Sequence, residues 1–283
     1  MSDGVLAVGD RVGAYRVTGH LIGNTYEGVH ASTARPVLIE VAAIEDWRDA
    51  MLQMMRAQRL EKLHHPGVAP IIAHGVLPDH RPWLATEVPN GIHLHELIAD
   101  RAMTPMEVAA LMRDAADVLA HAHARGIVHR ALTLRSLIRT PGEFPLCIVH
   151  WGLRLGELGV FGAPELSMGG SFDGRADVYA LGVIAFRAAT QHFPGEGGVY
   201  DMADVPAGLA TLIGRTLSIA PEERPIAAEV RALANELVVC GLELVRGRAR
   251  FTRARWTPPP PDLPDLGEDS TTLVDELDET IEP

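Results

Sequence analysis

The chain's 283 residues are 47% hydrophobic, enough for one large domain or two lobes around a real core. The formal charge of −12 argues against a nucleic-acid surface, and no apolar run reaches the roughly eighteen residues of a membrane span. A cytoplasmic protein is expected. Cys147 and Cys240 sit in apolar surroundings, form no CxxC pair, and read as buried free thiols.

Residues 1–11 form a leader with no basic start followed by a hydrophobic block. Residues 15–22 and 25–30 then alternate like strands around Gly23-Asn24, a pair suited to a tight hairpin turn. Residues 36–42 (PVLIEVA) read as a third strand, and 47–63 carries Met51, Met54, Met55, Ala57 and Leu60 at helical spacing. Strand-like segments recur at 71–76 and 83–88. Beyond Leu94 the pattern becomes mostly helical, at 105–125, 176–189, 207–217 and 227–239. The expected fold class is α+β: a small sheet-rich lobe (about 12–88) and a larger helical lobe (about 89–245). Residues 246–283 follow, with five arginines at 246, 248, 250, 253 and 255, a proline tract at 258–261, and nine acidic residues without a basic one at 262–282. Such a tail has little apolar surface to offset its ordering entropy and is expected to be disordered.

Several motifs recur in one order. They are HHPGV (His64 to Val68), LATEVPNGIHLHELI (Leu84 to Ile98), HRALTLRSL (His129 to Leu137), HWG (His150 to Gly152), GAPE (Gly162 to Glu165), DVYALGV (Asp177 to Val183) and PEERP (Pro221 to Pro225). In sequence and spacing this series resembles the bacterial eukaryotic-like (Hanks-type) Ser/Thr protein kinases. The resemblance covers residues 12–245 and implies their bilobal fold.

Phosphoryl transfer in that family depends on a strand lysine, magnesium ligands and a positioned carboxylate. The resemblance puts Glu40 at the lysine position and Ala131 at the position of the catalytic carboxylate. Thr133 stands for the loop lysine, Ser136 for the asparagine ligand and His150 for the metal-binding aspartate. Lys62, the only lysine, lies on the segment before HHPGV and cannot substitute. The adenine pocket would be lined by Gly23, Leu38, Thr86, Glu87 and Val88, with Leu38 crowding it and the glycine-rich arch shortened. Cofactors are therefore expected to be absent, with ATP and magnesium binding weak or lost. The implied function is a catalytically inactive pseudokinase that serves as a scaffold or allosteric regulator. The alternatives are a weakly active or noncanonical kinase or other ATP-dependent transferase, and a nucleotide-sensing switch without turnover.

Structural positions of the family are retained. Leu60, His129, Trp151 and Asp177 match its regulatory spine, Arg130 the loop arginine, and Glu165 with Arg224 its buried ion pair. Arg56, at the helix position of the family's glutamate, implies an inverted Glu40–Arg56 pair; the alternative is two unrelated charges. His93/His95 and His121/His123 lack metal-ligand spacing, so no metal is expected. The segment 152–165 contains no Ser, Thr or Tyr to be phosphorylated. Thr271, Thr272 and Thr280, in acidic chain, are candidate phospho-acceptors through which an active kinase or a phosphothreonine-reading domain would be the partner. The alternative for that segment is a solubilising tail.

Overall fold

The computed structural model describes residues 6–42, 55, 57–141, 144–151, 159–167, 173–195 and 201–240. Contacts divide the chain into units Met1–Ala249 and Arg250–Pro283, the second wholly outside the described residues. So are Arg56, Thr271, Thr272 and Thr280, and most of the helix expected at 47–63, of which residues 57–60 are helical.

The small lobe is one antiparallel sheet. Its strands are β1 (Arg11–Val12), β2 (Tyr15–Ile22), β3 (Thr25–His30), β4 (Pro36–Val41), β5 (Ile71–Val76) and β6 (Pro82–Glu87), ordered β1-β2-β3-β4-β6-β5. Gly23 takes φ +55° at the β2–β3 turn, a value that costs glycine little because it has no Cβ. Strand β4 is buried on both faces. Val37, Ile39 and Val41 enter a core with Val12, Val17, Tyr26 and Trp83, whereas Leu38 and Glu40 fall on the opposite face by the two-residue period.

The large lobe is helical. After β7 (Ile92–His93) come α1 (Leu94–Leu97), α2 (Pro105–His123), β8 (Leu137–Arg139), β9 (Leu146–Ile148), α3 (Pro164–Ser167), α4 (Arg175–Thr190), α5 (Ala207–Thr216) and α6 (Ala227–Val239). Thr104 starts α2 with a capping box: its hydroxyl accepts the Glu107 N–H, and the Glu107 carboxylate accepts the Thr104 N–H at 2.8 Å. Arg101 also binds Glu107 and, with those capping bonds, holds its carboxyl down at about 2.

Helix α4 runs through the centre, with Val178, Leu181, Ile184 and Phe186 fully buried. Gly182 packs against Thr216 of α5, leaving no room for a side chain at that crossing. The two lobes are joined behind the cleft, where Ile148 N–H donates to the Gly67 carbonyl (2.8 Å) and Val68 bridges β9.

The strands expected at 15–22, 25–30, 36–42, 71–76 and 83–88 and the helices expected at 105–125, 176–189, 207–217 and 227–239 are present, whereas β7, β8 and the last strand β9 interrupt a stretch expected to be mostly helical. One thiol also departs from expectation. Cys147 is buried, its pKa pushed up to about 12 by burial, but Cys240 is exposed. It follows the last turn of α6, where Val239 is already 74% exposed, while the core contacts of that turn are made by Leu237 and Val238.

Candidate functional site

The site is the cleft between the lobes, lined by residues of β4 and β6 and by residues 149–151, with the loop 129–136 hydrogen-bonded to Val149 behind them. Asp177, near the start of α4, organises the loop. Its carboxylate is 1% exposed and accepts the His129 N–H (2.7 Å), the Arg130 N–H (2.8 Å) and the His123 Nε2–H (2.8 Å). Burial alone would raise its pKa, but the His123 bond and charge, with the loop contacts, outweigh it and hold the carboxyl below its usual value. Arg130 takes φ +72° to bring its N–H to this carboxylate.

His129 is fully buried. Its Nδ1 accepts the Ala131 N–H, which leaves the proton on Nε2 to be donated to the Val149 carbonyl at 2.9 Å. Its ring lies 4.9 Å from that of Trp151, whose Nε1–H donates to the Ile148 carbonyl. Leu60 and Trp151 belong to the same apolar core. At the far end of the lobe Arg224 grips Glu165 with two bonds of 2.7 and 2.8 Å and lies over the Tyr179 ring. Its remaining donors reach the carbonyls of Arg175, Ser218 and Ile219, so this buried cation is fully paired.

The polar side chains of the loop turn inward. Ser136 is 2% exposed, and its hydroxyl donates to the Ala131 carbonyl while accepting the Thr133 N–H. Thr133 Oγ1 lies 3.3 Å from the Ser136 hydroxyl and accepts the Arg135 N–H. Both hydroxyls are spent on closing the loop. Ala131 contributes a methyl group beside them.

Glu40 and His150 meet across the cleft. The imidazole Nδ1–H donates to Glu40 Oε1 at 2.9 Å, with the two side chains 25% and 8% exposed. His150 takes φ +59°, a left-handed value that costs a side-chain-bearing residue roughly 1–2 kcal/mol. Glu40, Leu60, Leu84, Thr86, His150 and Trp151 enclose a cavity of about 10 Å³, room for about one water. The sequence pairs Glu40 with Arg56; Arg56 lies outside the described residues, and the observed partner of Glu40 is His150.

Of the candidate pocket residues, Leu38 and Thr86 are cross-strand neighbours. Glu87 and Val88 continue from β6 and are exposed. Gly23 sits at the β2–β3 hairpin tip, with open space where a Cβ would be. His65 is engaged as a structural group: its Nδ1 accepts the Gly67 N–H and its Nε2–H faces Asp117. Among the described residues no group of three or more His, Cys, Asp or Glu side chains is arranged to hold a metal, and no helix is long and apolar enough to cross a membrane.

No family model matches the chain. Among curated proteins it is 31% identical over 314 residues to serine/threonine-protein kinase Pkn1 of Myxococcus xanthus, an alignment covering 92% of this chain and 44% of that protein. The crystal structure of the PknI kinase domain of Mycobacterium tuberculosis matches with a TM-score of 0.68 at 25% identity, covering 82% of this chain and 99% of that one. The chain is a homologue of bacterial Hanks-type Ser/Thr protein kinases. PknJ of Mycobacterium tuberculosis is a further relative of this kinase-like chain, 25% identical over 226 residues, covering 72% of it and 38% of PknJ. The chain spans less than half the length of Pkn1 and PknJ. Within the kinase fold, Asp177 holds the backbone of His129 and Arg130, Arg224 binds Glu165, and the Glu40–His150 contact lies where the lobes face one another.

Proposed function

We propose that this kinase-like chain is catalytically inactive and acts as a scaffold or allosteric regulator in bacterial signalling, with ATP and magnesium bound weakly or not at all. One observation carries the reading: the carboxylate at the strand position of the phosphate-binding lysine is bonded to an imidazole at the position of the metal-binding aspartate. A triphosphate entering there would meet a buried carboxylate, and to relieve it the Glu40–His150 bond would have to break. Magnesium prefers hard oxygen ligands, and the groups on offer are an imidazole and a Ser136 hydroxyl already donating to Ala131. These residues do not fit the metal–nucleotide pair. General-base assistance, worth about 10²–10⁴ in rate, has no donor or acceptor in the Ala131 methyl group.

A protein partner is implied, and the threonines of the acidic segment are proposed phospho-acceptors for it. Incubation of the full chain with radiolabelled ATP, magnesium or manganese and general protein substrates tests the reading. No labelled protein is expected; metal-dependent labelling abolished by Glu40→Ala or His150→Ala would overturn it.

A further inference from the structure

The turn of the HHPGV motif is seated on the large lobe through a cluster of charged and titratable groups that the cleft does not use. His65 spends both ring nitrogens: Nδ1 accepts the Gly67 N–H at 3.0 Å, and Nε2–H faces Asp117 of α2 at 3.3 Å. Arg231 of α6 grips the other oxygen of Asp117 at 2.8 Å, so one carboxylate ties the turn to both helices. His121 lies one helical turn beyond Asp117, and its ring is 5.0 Å from that of His65. The Phe144 ring stands edge-on to His65, also at 5.0 Å, and adds an apolar neighbour.

His121 Nε2 is buried and has no hydrogen-bond partner. Such a nitrogen is tolerated while it carries no proton; an imidazolium has two N–H donors, and leaving one of them buried and unmet is costly. His65 offers no acceptor, since both its nitrogens are engaged. The charges facing His121 work in the same direction. Burial, then Arg125 just past α2 and His65 of the turn, hold its pKa below the ordinary histidine value; His64 adds to this, and Asp117, already shared by His65 and Arg231, opposes it. The neutral ring is the form that the folded chain accepts.

The turn also carries the junction behind the cleft. The Gly67 carbonyl accepts the Ile148 N–H at 2.8 Å, Val68 bridges Ile148, and His150 of the cross-cleft contact follows two residues on. Gly67 packs directly on Val118 of α2, with no room for a Cβ, so a change in the seating of the turn on α2 is passed to β9.

We infer that the His65–His121 pair is an acid-sensitive catch on this junction: with His121 neutral the turn stays seated on α2, and protonation of His121 unseats it and loosens its bond to β9. Histidine suits this role because it is the side chain whose charge ordinarily changes in this range of pH. The catch is intact above the ordinary histidine value and weakens as pH falls from there through the lower folded value, because the unfolded chain takes up the proton first. The inference stands apart from the proposed inactivity, since the junction lies behind the cleft whether or not the cleft is active.

The test is amide-resolved hydrogen exchange on the full chain between about pH 7.5 and about pH 5, corrected for the intrinsic pH dependence of exchange. Protection of the Ile148 N–H should fall at least about tenfold over that range, whereas that of Leu181, inside α4, should change by less than about threefold. In His121→Phe, which keeps a ring that cannot be charged, the fall at Ile148 should vanish; in His121→Arg, charged throughout, the low protection should be present already near neutrality. A parallel NMR titration should find the His121 ring charging below the ordinary histidine value, and it reads the unmodified chain if either variant fails to fold. Constant protection at Ile148, the same fall in His121→Phe, undiminished protection in a folded His121→Arg, a matching fall at Leu181, or a ring that charges at or above the ordinary value would each overturn the inference.

Discussion

The two ends of the large-lobe loop have different chemistry. At the Asp177 end, one carboxylate gathers two backbone N–H groups and an imidazole, and further along Arg224 and Glu165 are fully bonded. At the cleft end Ala131, Ser136 and His150 present no free carboxylate, and the hydroxyls bond back into the loop. The first region is built from charged groups that fix backbone, and the second from groups that fill or close space. The difference teaches that in this chain the residues that fix the backbone and those that line the cleft are separate sets, the latter joined across the cleft by the Glu40–His150 contact.

That separation can be broken at several points, and the largest effect belongs to the frame. Arg224→Ala would strand the buried Glu165 carboxylate and should cost about 3–5 kcal/mol in denaturant unfolding. A loss below 1 kcal/mol would mean the pair is not part of the frame.

Asp177→Asn should cost about 2–4 kcal/mol, since the amide turns one donor toward the loop N–H groups. This carboxyl has its folded pKa lowered from 3.8, so its stabilisation is fully present above the ordinary carboxylate range and is lost as pH falls through the folded value. The gap between wild type and variant, followed by urea midpoints, should therefore be widest near neutrality and close in acid. A gap that widens in acid would contradict the assignment.

The cleft contact is smaller. A double-mutant cycle with Glu40→Gln and His150→Phe should give a coupling of about 0.5–2 kcal/mol, reduced by the partial exposure of the imidazole. Strict additivity would show that the two side chains are neighbours without interaction. Least of all should follow from Ala131→Asp: a stability change within about 1 kcal/mol and no phosphotransfer in the radiolabel assay, because one carboxylate replaces only one missing part.

Much of this was legible in the sequence, for physical reasons that also mark where reading stopped. Strands β2, β3 and β4 announced themselves by alternation and by Gly23, and α2, α4, α5 and α6 by their apolar spacing, because burial imposes those periods. The kinase-like frame was legible from motif order. The partner of Glu40 was not, since it lies 110 positions away and reaches across the cleft only through the left-handed backbone at His150. Nor was the inward turn of Thr133 and Ser136, which depends on three-dimensional closure of the loop. His123 reads as an ordinary helix-end histidine until the fold sets it against Asp177. Cys240 was misread because an apolar neighbourhood in sequence does not distinguish a core from the exposed end of a helix.

The central claim is that a carboxylate and an imidazole now occupy the places of a lysine and a metal ligand, leaving a cleft unsuited to magnesium–ATP. It is tested most directly by thermal or denaturant unfolding of the full chain with saturating ATP, with and without magnesium or manganese. A ligand present at a hundredfold excess over its dissociation constant would add about 2.7 kcal/mol of stability. The account predicts no metal-dependent gain from ATP; a gain of that size requiring both nucleotide and metal would contradict it.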